Sequence, residues 1–471
     1  MSEILDVAII GAGSAGLAAL REVRKRTQRF VIINDGPWGT VCARVGCMPS
    51  KTLIEAANAF YRRNTFAEFG IQGADALICD IPSVLRRVRR LRDSFVASTV
   101  KTTQELDKRA ISGRARLLAP GRLEVNGREL HAHNIIIATG SSPVVPKPWG
   151  TLGERLLTTD TLFEQTELPA RMAVLGLGPV GIEMAQALSR LGIEVTGLGS
   201  NAAIAGLTDP QVTEVAIELL GYEFPLYLGK KAELTADGDG LEVCVGTEVI
   251  AADRVLAALG RRPNISNLGL ETLGVSLDEH GMPPINPDTL QVASLRMFMA
   301  GDANDQVPLL HEAADDGYIA GFNATRSVPV CFKRRTPLAI VFADPNIAVA
   351  GNRYQDLDHA KTLIGEACFD HQGRARTGQC NKGILRIYAD MENGRLLGAE
   401  MCVPAGEHMA HLLALAIDRS LTVQDLLRMP FYHPVLEEGL RTALRTLAAQ
   451  LPAGHQSDLA ACGEFNMEAL D

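Results

Sequence analysis

The chain has 471 residues with 46 Lys and Arg against 55 Asp and Glu, a net charge of −9, and it is 46% hydrophobic and 21% charged. That length calls for about two to four domains, and the near-average composition excludes a disordered or fibrous chain. The acidic balance, the lack of any apolar run of membrane-span length, and the acids in Met1-Ser2-Glu3-Ile4-Leu5-Asp6 together point to a cytoplasmic protein with no nucleic-acid or membrane partner and no secretion signal.

Residues 4–10 form an apolar run of buried-strand type, followed at once by Gly11-Ala12-Gly13-Ser14-Ala15-Gly16 and a helical stretch from Leu17 to Lys25. A second apolar run, Phe30 to Ile33, completes a β-α-β unit. The first glycine suits a tight turn, the second lets backbone approach a pyrophosphate, and the third packs helix on sheet. The helix start then offers N–H groups and a positive dipole end to phosphates.

Next comes Gly39-Thr40-Val41-Cys42-Ala43-Arg44-Val45-Gly46-Cys47-Met48-Pro49-Ser50-Lys51, leading into a helix expected over Thr52–Arg62. Side chains five apart diverge on a regular helix, so a Cys42–Cys47 disulfide needs an irregular first turn, which Gly46 and Pro49 permit. A pair of cysteines alone is as consistent with two buried thiols as with redox chemistry. Placed just after a dinucleotide-binding unit, the pair reads as redox-active.

Asn134 to Ala138 is a strand running into Thr139-Gly140. The Gly-rich pattern then returns: strand Met172–Leu175, turn Gly176-Leu177-Gly178-Pro179-Val180-Gly181, helix Ile182–Leu191 and strand Ile193–Leu198. Two copies in strand–turn–helix context predict two bound dinucleotides. Val255–Leu259 runs into Gly260-Arg261-Arg262-Pro263-Asn264, and Leu295–Ala300 into Gly301-Asp302, where an acid can accept hydrogen bonds from ligand hydroxyls. Beyond Lys333 no nucleotide signature remains, and a last helix is expected from Pro434 to Gln450, with His433 just before it. Cys79, Cys244, Cys331, Cys368, Cys380 and Cys402 read as packing residues, Cys462 as an unpaired tail thiol, and no metal site is expected.

Taken in this order, the motifs resemble the class I pyridine nucleotide–disulfide oxidoreductases, which include dihydrolipoamide dehydrogenase, glutathione reductase and mercuric reductase. The resemblance spans nearly the whole chain and implies an α/β fold with two Rossmann-like dinucleotide-binding domains, for FAD and NAD(P), plus a C-terminal α+β dimerisation domain. The implied boundaries are 1–147 and 267–332 for the FAD part, 148–266 for NAD(P), 333–455 for dimerisation, and a mobile tail over 456–471.

It also implies roles. FAD lies on Gly11, Gly13, Ser14, Ala15 and Gly16, with Thr40, Lys51, Thr139, Gly140, Gly260, Arg261, Gly301 and Asp302 around it; NAD lies on Gly176, Gly178, Pro179, Val180 and Gly181, NADP remaining open. Cys47 faces the flavin and Cys42 exchanges with substrate. His433, oriented by Glu438, is the acid–base group lent to a second subunit of a homodimer, and Lys51 pairs with Glu183 near the flavin N5. Pro49-Ser50-Lys51 resembles the lipoamide branch. The implied activity is therefore dihydrolipoamide dehydrogenase, with a lipoylated carrier protein or a small disulfide as substrate. The alternatives are a reductase of another disulfide, quinone or metal, or a non-catalytic flavoprotein module.

Several positions depart from the family pattern. Val41 stands where a Thr usually precedes the first cysteine. The strand-end acid for the FAD ribose, 18 residues past the third glycine, is Asn34, with Asp35 beside it as a substitute. Gly199 replaces the equivalent residue of the nicotinamide unit, and no cation occurs from Gly199 to Gly206, which favours NAD.

Overall fold

Short apolar runs ending in glycine become the parallel strands at the heart of the first of two units into which the chain divides, residues 4–56, Cys79–Pro169 and Arg254–Arg334. The computed structural model describes residues 4–451, so the expected tail over 456–471, with Cys462, lies outside the described residues.

In this unit the strands Ala110–Ser112, Phe30–Asn34, Leu5–Ile10 and Arg128–Ile137 lie side by side and parallel, with Met297–Met299 also against Arg128–Ile137. Arg122–Val125 and Ala115–Ala119 extend the sheet antiparallel. Both faces of the parallel part are apolar, as continuous runs such as Val7-Ala8-Ile9-Ile10 require when helices or loops cover each side. The expected strands at 4–10 and 30–33 are present as Leu5–Ile10 and Phe30–Asn34, and the helix between them is Ser14–Val23.

The second unit comprises Ala57–Ile78, Ala170–Asp253 and 335–451. Arg171–Leu175, Glu194–Gly199 and Leu226–Leu228 form parallel strands, with Pro179–Arg190 as the helix after the first. Farther along, Leu338–Val341, Asn346–Gly351, Leu396–Val403, Ile384–Asp390 and Thr362–Cys368 make an antiparallel sheet packed on the helices Gly406–Asp418 and Glu438–Ala448.

The last helix begins at Glu438, not at Pro434 as the sequence suggests. Val435 is diverted: its carbonyl accepts from Gln372 Nε2 at 2.6 Å and its N–H donates to Glu438 Oε2 at 3.2 Å. Gly439 is where the helix meets the sheet, since a Cβ there would lie 2.4 Å from the Phe369 ring. The packing reading of the scattered cysteines holds for Cys402, which is buried, and fails for Cys331 and Cys368, which are exposed. Burial pushes the Cys402 thiol up to about 12.

Two fully buried acids link segments of this unit that are far apart in sequence. Asp209 accepts from Arg386 Nη1 at 2.8 and 3.0 Å and from the Tyr388 hydroxyl at 2.9 Å, while capping the helix Pro210–Gly221. Glu400 takes the N–H groups of Thr208 and Asp209 at 2.8 and 2.9 Å and that of Tyr354 at 3.0 Å. A buried carboxylate stripped of its cation is strongly destabilising, by about 3–5 kcal/mol. Arg386→Met should lower stability by about that much in denaturant unfolding. A loss under about 1 kcal/mol would show that the Tyr388 hydroxyl and the backbone N–H groups suffice for Asp209.

Candidate active site

The first Gly-rich turn is built around backbone contacts that only glycine allows. Gly11 has φ +107°, and a Cβ on it would lie 2.0 Å from the Ala138 carbonyl oxygen; one on Gly16 would lie 1.9 Å from the Gly11 oxygen. Gly13, by contrast, faces open space. No side chain caps the helix Ser14–Val23, so its first turn presents backbone N–H groups and a positive dipole end.

Beside this turn, at the carboxyl ends of the parallel strands, lies a cavity of about 520 Å³. Gly11, Asn34, Asp35, Arg114, Thr139 and Asn264 are among the residues that line it. This is where an open α/β sheet takes a dinucleotide. The buried hydroxyl oxygen of Thr139 has no protein partner, which fits a ligand with polar atoms of its own. The residues present therefore fit FAD.

The other strand-end motifs meet within the same unit. Arg261 donates from Nε to Ser141 Oγ at 2.7 Å and from Nη2 to the Ser141 carbonyl at 2.6 Å, and Ser141 Oγ in turn donates to Asp302. Gly301 and Asp302 sit in the turn Gly301–Asn304, held from behind by buried Asp316, which accepts from the Gly301 N–H at 3.0 Å and from Asn304 Nδ2 at 2.7 Å. Gly140 and Gly260, both at positive φ, end their strands beside this group. Ser141 and Asp316 carried no signal in the sequence; they emerge only where distant strand ends converge.

The cysteine pair sits at a break between two helices, Val41–Val45 and Cys47–Tyr61. The second helix starts at Cys47, five residues before the expected Thr52, so Cys47, Pro49 and Lys51 all lie near its N-terminus. Gly46 makes the break: a Cβ there would stand 3.2 Å from Cys42 Cα and from the Val41 carbonyl oxygen. Both thiols are half-buried and lie within hydrogen-bonding reach of each other, so the irregular turn that a disulfide would need is present. The bond to Cys47, together with burial, pushes the Cys42 thiol well above the ordinary range. Thr40 caps the first helix, its Oγ1 accepting from the Ala43 N–H at 3.1 Å.

In the second unit, His433 Nδ1 and Glu438 Oε1 are 3.0 Å apart across a turn containing a cis His433–Pro434 bond. His433 is 80% exposed on its side chain, leaving Nε2 open to a reactant. Glu438, rather than its neighbour Glu437, is the acid that meets the imidazole.

The second Gly-rich turn, Gly176 to Gly181, repeats the first: Gly178 faces open space and Pro179 begins a helix with no side-chain cap. Val180 is exposed and Gly181 buried in its first turn. Glu183, also on this helix, is buried and accepts from the Phe342 N–H at 3.0 Å. Lys51 is half-buried. Arg353, which sequence reasoning missed, donates to the Gly206 carbonyl and so brings a cation to the loop after Glu194–Gly199.

Two mononucleotide-type folds and a close thiol pair beside a helix start are the parts a nucleotide-dependent dithiol oxidoreductase requires. Comparison with known proteins makes the family specific. The pyridine nucleotide-disulphide oxidoreductase family matches residues 5–317, and its dimerisation domain matches residues 338–444. The chain belongs to this family and is an enzyme of it; family members use FAD and NAD(P).

It is 30% identical to a dihydrolipoyl dehydrogenase of Thermus scotoductus, over 94% of this chain and 98% of that one. It is likewise 30% identical to a mercuric reductase of Shigella flexneri, over 94% of this chain and 81% of that one. Among solved structures, the Cu(II) complex of the HOCl-induced flavoprotein disulfide reductase RclA from Escherichia coli superposes with TM-score 0.83 at 22% identity, covering 94% of this chain and 99% of that one. No helix among the described residues is long and apolar enough to cross a membrane, and no group of three metal-ligating side chains occurs among them.

The hydrogen bond from His433 holds the Glu438 carboxyl below the usual carboxylate range, with the Val435 N–H acting the same way. A folded-state pKa below the unfolded one means that this contribution to stability is complete at neutral pH and lost as acid takes the pH down through the Glu438 pKa. His433→Ala should move the Glu438 titration up towards about 4.3, followed by carboxyl carbon NMR. An unmoved titration would separate the two residues.

Proposed function

We propose that the chain is a homodimeric, FAD-dependent dihydrolipoamide dehydrogenase that oxidises dihydrolipoyl groups through a Cys42–Cys47 disulfide, with NAD+ as the final acceptor. The observation that carries this reading is the thiol pair at the Gly46 break, the two sulfurs within hydrogen-bonding reach of each other. FAD, when bound, supplies a two-electron carrier between the dithiol and the nicotinamide.

The protein's own steps follow from the sulfur chemistry. One substrate thiolate attacks Cys42 Sγ of the disulfide, forming a mixed disulfide and releasing Cys47 as thiolate. The second substrate thiolate then attacks the substrate sulfur joined to Cys42, closing the cyclic disulfide product and releasing Cys42. His433 takes the proton from the substrate thiol and returns it to the departing Cys42 sulfur. The high proton affinity of Cys42 suits it to receive that proton.

Glu438 stabilises the imidazolium that forms, as the acid of a hydrolase triad does. The match to the dimerisation domain supports a dimer in which His433 serves the partner's disulfide. Lys51 at the start of the cysteine helix and Glu183 on the nicotinamide helix are read as the ion pair that steadies charge near the flavin N5. Gly199, and a run to Gly206 without a cation of its own, support NAD, whereas Arg353 at the Gly206 carbonyl is the feature that keeps NADP as the alternative.

A second reading, a reductase of another disulfide or of a metal, is supported by the equal identity to a mercuric reductase. Anaerobic addition of dihydrolipoamide to the holoenzyme should reduce the flavin and produce a long-wavelength thiolate-to-flavin band. Cys42→Ser should keep flavin reduction by NADH while lipoamide turnover falls roughly a hundredfold or more. Full turnover in that variant would overturn the assignment; flavin reduction by NADH with no response to dihydrolipoamide would favour the second reading.

A further inference from the structure

A ribose diol is best held by a carboxylate, which can accept a hydrogen bond from each hydroxyl. The strand Phe30–Asn34 ends instead in an amide, and the structure shows how that amide is spent. Both hydrogens of Asn34 Nδ2 go to backbone carbonyls, that of Gly36 at 3.1 Å and that of Pro37 at 3.2 Å. Its oxygen accepts from the Ala12 N–H at 3.2 Å. A single lone pair is left, enough for one hydroxyl and not for two.

Those three bonds have a second effect. They fold the chain from Asn34 to Pro37 into a turn, with Gly36 at φ +90°, and tie that turn to the first Gly-rich loop. Asp35 falls inside the turn and lines the same cavity as Asn34. A one-residue slip along a strand would point a side chain to the opposite face. Asn34 is the last residue of its strand, so that alternation no longer governs Asp35.

Arg114, also in the cavity wall, has Nε 4.0 Å from Asp35 Oδ2, and its Nη2 donates to the Ser266 carbonyl at 3.2 Å. With both side chains more than 60% exposed, this pair contributes little to folding. A ligand covering it would exclude water and strengthen its electrostatics.

We propose that Asp35, not Asn34, accepts the adenosine-ribose hydroxyls of FAD, with Arg114 as its counter-ion and Asn34 as the residue that positions it. This rests on the reading of the first cavity as the FAD site. The test uses apoprotein freed of flavin and titrated by flavin fluorescence with FAD and with an analogue carrying 2′-deoxyribose on the adenine.

Wild-type protein should bind the analogue about tenfold more weakly than FAD. Asp35→Asn should weaken FAD binding by about tenfold to a hundredfold and remove most of that discrimination, while Asp35→Glu restores part of it. Arg114→Gln should weaken FAD binding a few-fold, the loss shrinking as salt is raised. If Asp35→Asn binds FAD as wild type does, or still discriminates between the two ligands as wild type does, the assignment to Asp35 is overturned. If the wild-type apoprotein binds neither ligand, the FAD reading itself falls, and the inference with it.

Discussion

The thiol chemistry proposed for this protein depends on one close backbone approach, that of Gly46 to Cys42. A Cβ at position 46 would crowd Cys42 Cα and the Val41 carbonyl at 3.2 Å, so the join between the two helices would have to shift to admit it. With glycine there, the chain stops one helix and starts another within a residue, and sulfurs that a continuous helix would splay apart come within reach of each other. Thr40 stabilises the approach by capping the first helix, and the N-terminus of the second adds its dipole beside Cys47. The upward shift of the Cys42 thiol follows from this arrangement, since its leading cause is the neighbouring sulfur.

Much of this could be read from the sequence because it depends on local rules. Glycines with no room for a Cβ mark the turns, and apolar runs leading into them mark parallel strands. His433 and Glu438 came from the family resemblance and not from a local rule, and the route by which they meet differs from the expected one. Proline suits the first position of a helix, so Pro434 looked like a start. The true start is displaced to Glu438 because Gln372 captures the Val435 carbonyl and Phe369 demands Gly439 beneath it, both from residues more than sixty positions away.

The same limit applies elsewhere. Nothing within the run from Gly199 to Gly206 announces that Arg353 reaches it, and nothing about Asn34 as a letter says where its amide hydrogens go. Exposure of Cys331 and Cys368 likewise depends on which faces the tertiary fold leaves uncovered. Periodicity reports that an element has a buried side, whereas the hydrogen-bonding partner of a particular polar atom is a property of the assembled chain.

The grip that Glu400 keeps on the N–H groups of Thr208 and Asp209, with Arg353 on the Gly206 carbonyl, bears on any effort to re-engineer cosubstrate preference. These holds on main-chain atoms constrain loop length and path, while Thr208 and Asp209 are tied through their side chains as well, to Glu400 and to Arg386 and Tyr388. Exchanging Ser200 or Asn201 for charged residues respects that frame. Transplanting a longer segment from a homologue would tear it, unless positions 353 and 400 were exchanged along with the graft.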